Sequence, residues 1–288
     1  MSPSGHIRFL NTNLYICIKI LLSLPSPSSK KIKQVLQTDL KSALDHQSWL
    51  NDLIATANTM NIPIRWRNPL GTPLALRDFN LVNTRQKLVK TKPWCLFKDV
   101  IDVNNQDHLA IWSNLTKFDQ PTNHLKNLAG FPPNYVHSLD AVHLKLANYD
   151  YRNAKKEELG ANEFGEEPPE RSWISIHDSF GSTAAYIDDF NKYIRNAFVE
   201  IYSYNQPSDD IRQQLILDFI YSATDQRTRM FDLADKLVKF GVMDGEQSNK
   251  IKENLASEYD RVIKKFNTLP ETGDFDIEKV KESTYFFS

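Results

Sequence analysis

Cysteine is scarce in this chain, and its scarcity excludes two classes of protein. Only two cysteines, Cys17 and Cys95, occur among 288 residues. Two distant cysteines supply neither the disulfide framework of a small secreted domain nor the ligand spacing of a structural zinc site. A reducing or mitochondrial interior is compatible with this count, and a secreted scaffold is not suggested.

Net charge is also small, because 35 basic residues stand against 36 acidic ones. The charges are unevenly distributed, however. The range 61–98 carries eight basic residues and one acidic residue, whereas 157–170 carries six acidic residues and no basic one. The basic block fits either a phosphate-binding surface or a solvated one. The acidic block contains glycines and prolines and predicts a surface insertion.

Acidic residues are absent from 1–38, where five basic residues and many serines occur. This composition fits a transit peptide, and misjoined sequence ahead of the folded part explains it equally well. The apolar stretch from Leu14 to Leu24 is interrupted by Lys19 and is too short to cross a bilayer. We therefore treat 1–36 as a separate N-terminal segment and predict no membrane span.

Hydrophobic periodicity predicts a mostly helical chain with a few short strands. Helices are expected at 30–60, 135–147, 187–201, 209–221, 225–239 and 246–266. Strands and hairpin turns are expected at 62–102, including 82–88, and a strand at 173–176. The range 103–128 is predicted to be irregular, and the tail from Pro270 extended except for a short charged segment at 277–282.

One block that could carry catalytic or metal-binding chemistry begins with the short apolar run 173–176, which we expect to form a buried strand. It ends in His177 and Asp178, and a turn is expected from Asp178 to Gly181. A carboxylate at a strand end is held rigidly at the edge of a core, which suits a metal ligand. Turn and capping roles are nevertheless commoner for such an aspartate.

A second block, GFPPNYVHSLDAVHL, occupies 130–144. Its paired prolines, Pro132–Pro133, predict an extended approach, after which the pattern becomes helical. Three of its polar residues recur at steps of three on that helix: His137, Asp140 and His143. Taken alone, His137 suits a hydrogen-bonded core position, and the three together with Asp178 suit a mononuclear metal hydrolase site.

Taken in chain order, 130–144 and then 173–178, the two blocks resemble the C-terminal part of single-subunit DNA-directed RNA polymerases, the bacteriophage and mitochondrial type. That family has a Pro-Asn-aromatic-aliphatic-His-Ser-x-Asp-x-x-His-Leu segment, followed by a strand ending in His-Asp-Ser or His-Asp-Cys. The chain also ends in STYFFS at 283–288, similar to the aromatic tail of mitochondrial members. Further landmarks match at 49–50, 65–73 and 83–85, so the resemblance covers roughly residues 40–288.

The resemblance implies an α+β, mostly helical fold: the C-terminal palm portion of a right-hand polymerase, with a small antiparallel sheet and a hairpin insertion. Within a polymerase fragment at 37–288, it implies a two-stranded promoter-specificity hairpin at 75–115 and the palm at 126–206. C-terminal helices and a terminal foot would occupy 207–288. The family's first catalytic aspartate and its fingers helix have no counterpart here, so we expect only the last part of a polymerase.

The implied activity is DNA-templated RNA synthesis by two-metal nucleotidyl transfer with Mg²⁺. Asp178 would be a metal ligand and His177 would orient the primer terminus. The implied partners are a DNA template, an RNA transcript, nucleoside triphosphates and mitochondrial transcription factors, in a mitochondrial location. Since one metal carboxylate is present where two are needed, we expect no activity from the chain alone. The alternative is a non-enzymatic remnant that binds nucleic acid.

Five further residues would contact nucleic acid if the resemblance holds. His137 would lie on the minor-groove side of the RNA–DNA hybrid, and Ser138 would share that surface and brace the helix. Asn83, Arg85 and Lys87 would contact promoter DNA from the specificity hairpin, because a two-stranded ribbon fits the major groove.

Overall fold

The computed structural model describes residues 41–76, 78–90, 92–159, 173–176, 179–203, 210–266 and 268–283. In these ranges, the α-helices are α1 Lys41–Thr59, α2 Thr84–Lys90, α3 Gln106–Leu115, α4 His124–Leu159, α5 Ile187–Tyr202, α6 Ile211–Lys239 and α7 Gly245–Lys265. The strands are β1 Ile64–Arg67, β2 Pro73–Leu76, β3 Trp173–Ile176 and β4 Ser179–Ser182. Short 3₁₀ turns lie at Trp94–Phe97, Ala184–Tyr186 and Ile277–Glu282.

The strands form two separate antiparallel hairpins. In the first, β1 pairs with β2, so that Ile64 lies opposite Leu76. In the second, β3 pairs with β4, so that Trp173 lies opposite Ser182. The predicted α+β, mostly helical class with a small antiparallel sheet is therefore confirmed. No helix within the described ranges has the length and apolarity needed to cross a membrane.

The larger of two hydrophobic cores joins α1, β1, the first half of α4, α6 and α7. Trp66 of β1 packs edge-on against Phe131 of α4, with ring centroids 5.2 Å apart. Tyr259 of α7 is buried in the same core, and its hydroxyl donates to the carbonyl oxygen of Met60 over 3.2 Å. The first hairpin is thus fixed between helices that are distant in sequence.

A second, smaller core lies under the β3–β4 hairpin. Tyr151 of α4 and Phe190 of α5 are buried at its centre, with ring centroids 4.8 Å apart. Val280, from the 3₁₀ turn near the C-terminus, closes the cluster. The segment predicted at 277–282 and the helix predicted at 187–201 are both confirmed. Together they support the hairpin that carries the predicted site.

The two prolines of the GFPPN block lie inside α4, so the predicted extended approach was wrong. Proline lacks the N–H that a helix interior uses and normally bends or ends it. Here Phe131, Tyr135 and Leu139 follow one another at steps of four and are all buried. Burial of this face stabilises the helix through the two prolines, so tertiary packing outweighs the local preference.

The region 75–115 is mainly helical, which corrects the predicted ribbon. Among the described residues of this range, strand is limited to residues 75 and 76, and α2 and α3 occupy 84–90 and 106–115. The strand predicted at 82–88 was wrong because Asn83 and Gln86 form a reciprocal cap: Asn83 Oδ1 accepts from Gln86 N over 2.9 Å, and Gln86 Oε1 accepts from Asn83 N over 3.3 Å. The irregular segment predicted at 103–128 was wrong for a similar reason, since Asn105 caps α3.

The C-terminal helices differ from the prediction in one respect. The two helices expected at 209–221 and 225–239 are one continuous helix, α6. No glycine or proline occurs within α6, and its buried residues continue through Ala223 without a break. The helix predicted at 246–266 is confirmed as α7, which begins with a capping box between Asp244 and Gln247. Gly241, at φ +71°, ends α6 as predicted. Of the helix predicted at 30–60, the structure describes 41–59.

Candidate functional site

The predicted catalytic residues belong to the connection of the second hairpin. Ile176 of β3 pairs with Ser179 of β4, so His177 and Asp178 are the two residues between the paired positions. Both lie outside the described residues. The structure therefore confirms the strand that precedes them and shows a second strand returning alongside it. Gly181, predicted in a turn, lies within that second strand.

One face of the second hairpin packs on the smaller core. Trp173 and Phe180 lie against it, whereas Ile174, on the other face, is 60% exposed. The prediction of a fully buried strand was therefore wrong. Gly181 lies opposite Ile174, and a Cβ at position 181 would come within 2.9 Å of Ile174 Cγ2. A side chain at position 181 would therefore require the exposed Ile174 side chain to shift.

His143 is a core residue rather than a candidate ligand. It is buried, and its Nε2 donates to the carbonyl oxygen of Ile194 over 2.6 Å. Its ring meets those of Phe180 and Phe198 edge-on, at centroid distances of 5.5 and 5.6 Å. Within the described part of the chain, no three His, Cys, Asp or Glu side chains are grouped to hold a metal. These observations argue against the mononuclear metal hydrolase.

His137 and Ser138 lie side by side on α4 but in different environments. His137 is exposed. The Ser138 hydroxyl donates to the carbonyl oxygen of Tyr135 over 2.6 Å and accepts from Trp66 Nε1 over 3.1 Å. This hydroxyl therefore ties α4 to β1. Of the two residues, His137 alone has its side chain turned to solvent.

The residues predicted to contact promoter DNA also separate into two groups. Asn83 and Arg85 are exposed near the start of α2, and Arg85 Nη2 donates to the carbonyl oxygen of Val103 over 3.2 Å. Lys87 is only 4% exposed, and its Nζ donates to the carbonyl oxygen of Thr116 over 2.7 Å. Lys87 therefore cannot reach a phosphate or a base in this structure, which corrects its predicted role.

The environment of Lys87 explains why it is retained in the interior. Its Nζ lies 5.8 Å from the centre of the Trp94 ring, so the ammonium contacts an aromatic face. Burial lowers the pKa of the Lys87 ammonium, and the nearby Asp119 carboxylate partly opposes that shift. The side chain holds α2 against the end of α3, a stabilising role that its charge and spacing did not predict.

A buried carboxylate that we had not singled out fixes the first hairpin. Asp218 of α6 accepts from the backbone N–H of Arg67 over 2.8 Å, and its other oxygen accepts from Gln214 Nε2 over 3.2 Å. The Arg67 Nε lies 3.4 Å from the same carboxylate. A Gln–Asp pair at i, i+4 within an otherwise apolar helix face was the only sequence signal for this contact.

Another ionisable residue outside our predictions lies between α1 and the start of α6. His46 stacks on Trp49 with ring centroids 5.6 Å apart, and its Nδ1 is buried without a hydrogen bond in the described part of the chain. Nearby, Arg212 pairs with Asp210 and donates to the carbonyl oxygen of Pro270 over 2.8 Å. Burial, aided by the Arg212 guanidinium and opposed by Asp210, lowers the pKa of His46 to about 4.

Comparison with known proteins adds independent findings. The chain is 26% identical over 260 residues to the mitochondrial DNA-directed RNA polymerase of Mus musculus, a match that covers 90% of this chain and 17% of the mouse protein. It is 25% identical over 252 residues to the chloroplastic DNA-directed RNA polymerase 3 of Nicotiana sylvestris, covering 86% and 17% of the two chains. It is 24% identical over 248 residues to DNA-directed RNA polymerase 2A of Nicotiana tabacum, covering 86% and 51%.

The chain thus spans about a sixth to a half of the length of these relatives. The family of DNA-dependent RNA polymerases matches residues 19–288, which is most of the chain. That range includes both hairpins, the GFPPN helix and the C-terminal helices. The chain belongs to the family of DNA-dependent RNA polymerases, of the single-subunit type found in phages, mitochondria and chloroplasts.

Proposed function

We propose that this chain is the C-terminal part of a mitochondrial-type RNA polymerase and takes part in DNA-templated RNA synthesis. The observation that carries the proposal is the family match over 19–288, with the His-Asp pair placed between two paired strands. The substrates would be nucleoside triphosphates and a DNA template, and the product an RNA transcript. Two of the relatives described above are named mitochondrial or chloroplastic, and we propose the mitochondrion as the location, with mitochondrial transcription factors as partners.

Asp178 is proposed to be one ligand of Mg²⁺. Magnesium takes hard oxygen ligands and is usually bound through one or two carboxylates, which fits an aspartate beside the end of β3. When bound, paired Mg²⁺ ions stabilise the attacking 3′-oxygen and the departing pyrophosphate.

His177 and His137 are proposed to position nucleic acid around that carboxylate. His177 precedes Asp178 directly. The family resemblance gives His177 the strand terminus as its contact, beside the ligand role of Asp178. His137 is exposed on α4, and β4 packs against the same helix through Phe180 and His143. Asn83 and Arg85 would contact promoter DNA at a separate, exposed position.

We further propose that the chain is inactive by itself. The β3–β4 hairpin has two strands, and its outer face exposes Ile174. An exposed apolar face is suited to contact with more protein. The match to only 17% of the mitochondrial relative supports the same view. A non-enzymatic remnant that binds nucleic acid is the competing function.

The test is Asp178→Asn in a full-length polymerase that carries this chain as its C-terminal part. Primer extension on a DNA template should be abolished, while template binding, measured in the same preparation, should change little. Asp188→Asn is the matched control because Asp188 is an exposed carboxylate in the first turn of α5. Equal extension by the Asp178→Asn enzyme and the unmodified enzyme would refute the proposal.

An assay of the purified 288-residue chain tests the expectation that it is inactive alone, and together with the full-length assay it distinguishes the polymerase part from the non-enzymatic remnant. We expect no template-dependent incorporation of nucleotides by this polypeptide. Incorporation that is lost in Asp178→Asn would show that the chain is a complete enzyme, contrary to our proposal. If the full-length polymerase is also indifferent to Asp178→Asn, the remnant becomes the better explanation.

A further inference from the structure

The solvent-facing side of α4 carries a continuous stripe of exposed residues, which we call the α4 stripe. They follow one another at steps of three or four, about one helical turn: Asn134, His137, Ala141, Lys145, Tyr149 and Arg152. None of these residues is acidic. At ~1.5 Å per residue the stripe is about 27 Å long, and it begins directly after the two prolines.

Three side chains of the α4 stripe lack an internal role. His137, Lys145 and Tyr149 make no hydrogen bond or ion pair within the described part of the chain, and Tyr149 is 65% exposed. Arg152 already interacts with another part of the chain. The stripe therefore presents two basic side chains and an aromatic phenol to solvent, a combination typical of surfaces that contact nucleic-acid backbones.

We propose that the α4 stripe is a binding surface for the sugar–phosphate backbone of an RNA–DNA hybrid, and that Lys145 and Tyr149 extend it beyond His137. The inference rests on the proposed function, which brings a hybrid to His137. From His137 to Tyr149 the stripe covers about 18 Å, or roughly five base steps of ~3.4 Å. The Lys145 ammonium would contact a phosphate.

The phenol of Tyr149 is what points to a hybrid rather than to duplex DNA. A-form helices have a wide, shallow minor groove that displays 2′-hydroxyls, and contacts there distinguish RNA from DNA. The Tyr149 hydroxyl can both donate to and accept from a 2′-hydroxyl. The six residues of the α4 stripe include no carboxylate, and the nearby Asp140 and Asp150 are half-buried, so the stripe can approach such a groove with little charge repulsion.

The test is binding of the purified chain to a fluorescein-labelled twelve-base-pair RNA–DNA hybrid, followed by anisotropy over a series of salt concentrations. Lys145→Gln should lower the slope of log K against log salt by about 0.9, the value for one phosphate contact. Tyr149→Ala should weaken hybrid binding about five-fold with little change in that slope, and should weaken binding to DNA duplex of the same sequence much less.

Matched controls come from two other helices, α6 and α7. Tyr221 of α6 is also 65% exposed, and Lys250 of α7 is an exposed lysine without an ion pair in the described part of the chain. Tyr221→Ala and Lys250→Gln should leave hybrid binding unchanged. Circular dichroism of all four variants should give the same helical content, because every substituted position faces solvent.

The result separates this inference from the proposed function. No measurable hybrid binding by the unmodified chain, or equal losses in the stripe and control variants, would overturn the α4 stripe as a binding surface. Neither result would alter the expected loss of primer extension in Asp178→Asn. Equal loss of hybrid and DNA duplex binding in Tyr149→Ala would replace hybrid recognition with general contact to a backbone.

Discussion

His46 should make the folded chain lose stability as the pH falls below neutrality. Its unfolded pKa is 6.5 and burial lowers the folded value to about 4. Above pH 6.5 both states are neutral at this position, so the full stability is present. Between pH 6.5 and about 4 the unfolded chain binds a proton that the folded chain excludes, and stability is lost as the pH falls through this window.

The size of the effect follows from the width of that window. At ~1.4 kcal/mol per pKa unit, the free energy of unfolding should fall by about 2 kcal/mol from pH 7 to pH 5 through His46 alone. The ring is only partly buried, and solvent screening therefore reduces the expected change to about 1–2 kcal/mol. Since a domain is typically stable by only ~5–15 kcal/mol, a loss of this size is measurable.

The assay is urea denaturation of the unmodified chain and of His46→Phe at pH 7, 6 and 5. Phenylalanine retains a ring against Trp49 and removes both the titration and the buried, unpaired Nδ1. The stability of the variant relative to the unmodified chain should therefore rise by about 1–2 kcal/mol between pH 7 and pH 5. In Trp49→Phe the titrating ring remains, and the pH dependence should remain as well. Parallel stability curves for the unmodified chain and His46→Phe would refute the reasoning.

Three further predictions concern the first hairpin and the helix that packs on it. Gly130→Ala should stabilise the chain by about 0.5–1 kcal/mol, because the new methyl meets nothing closer than 3.8 Å within α4. Gly71→Ala, at φ +75°, should destabilise it by about 1 kcal/mol, and urea denaturation giving both changes the same sign would contradict this account. Trp66→Phe should cost about 1 kcal/mol, since the hydrogen bond to the Ser138 hydroxyl is lost. If thermal unfolding of Trp66→Phe matches that of the unmodified chain, this bond does not hold α4 to β1.

Sequence patterns predicted most successfully where local and tertiary preferences agree. The strand at 173–176, the helix at 187–201 and the helix at 246–266 are all present in the structure. In α5 and α7, apolar residues repeat at helical spacing and the buried residues follow that repeat. The family resemblance rested on short motifs in a fixed order, so errors in the predicted bounds of single helices and strands did not affect it.

Two of the failures share one physical cause, which is that long-range packing was invisible in the sequence. Pro132–Pro133 argued for a break, but Phe131 and Tyr135 are buried on the same helix face and stack at 5.6 Å. Lys87 was assigned to a surface because it is charged. Its ammonium instead lies in the interior, where it donates to the carbonyl oxygen of Thr116 and contacts the Trp94 ring. No local pattern specifies that two helices will meet around a lysine.

The exposed side of α4 illustrates the converse limit. The sequence identified His137 because its neighbours match a family motif, whereas no motif drew attention to Lys145 or Tyr149. Only the structure shows that the three side chains share one face with no carboxylate among them. Burial of one helix side by Phe131, Leu139 and Val142 determines which residues remain outside. The packing of the core therefore determines which side chains remain exposed on α4, and that exposed face can be identified only when the buried face is known.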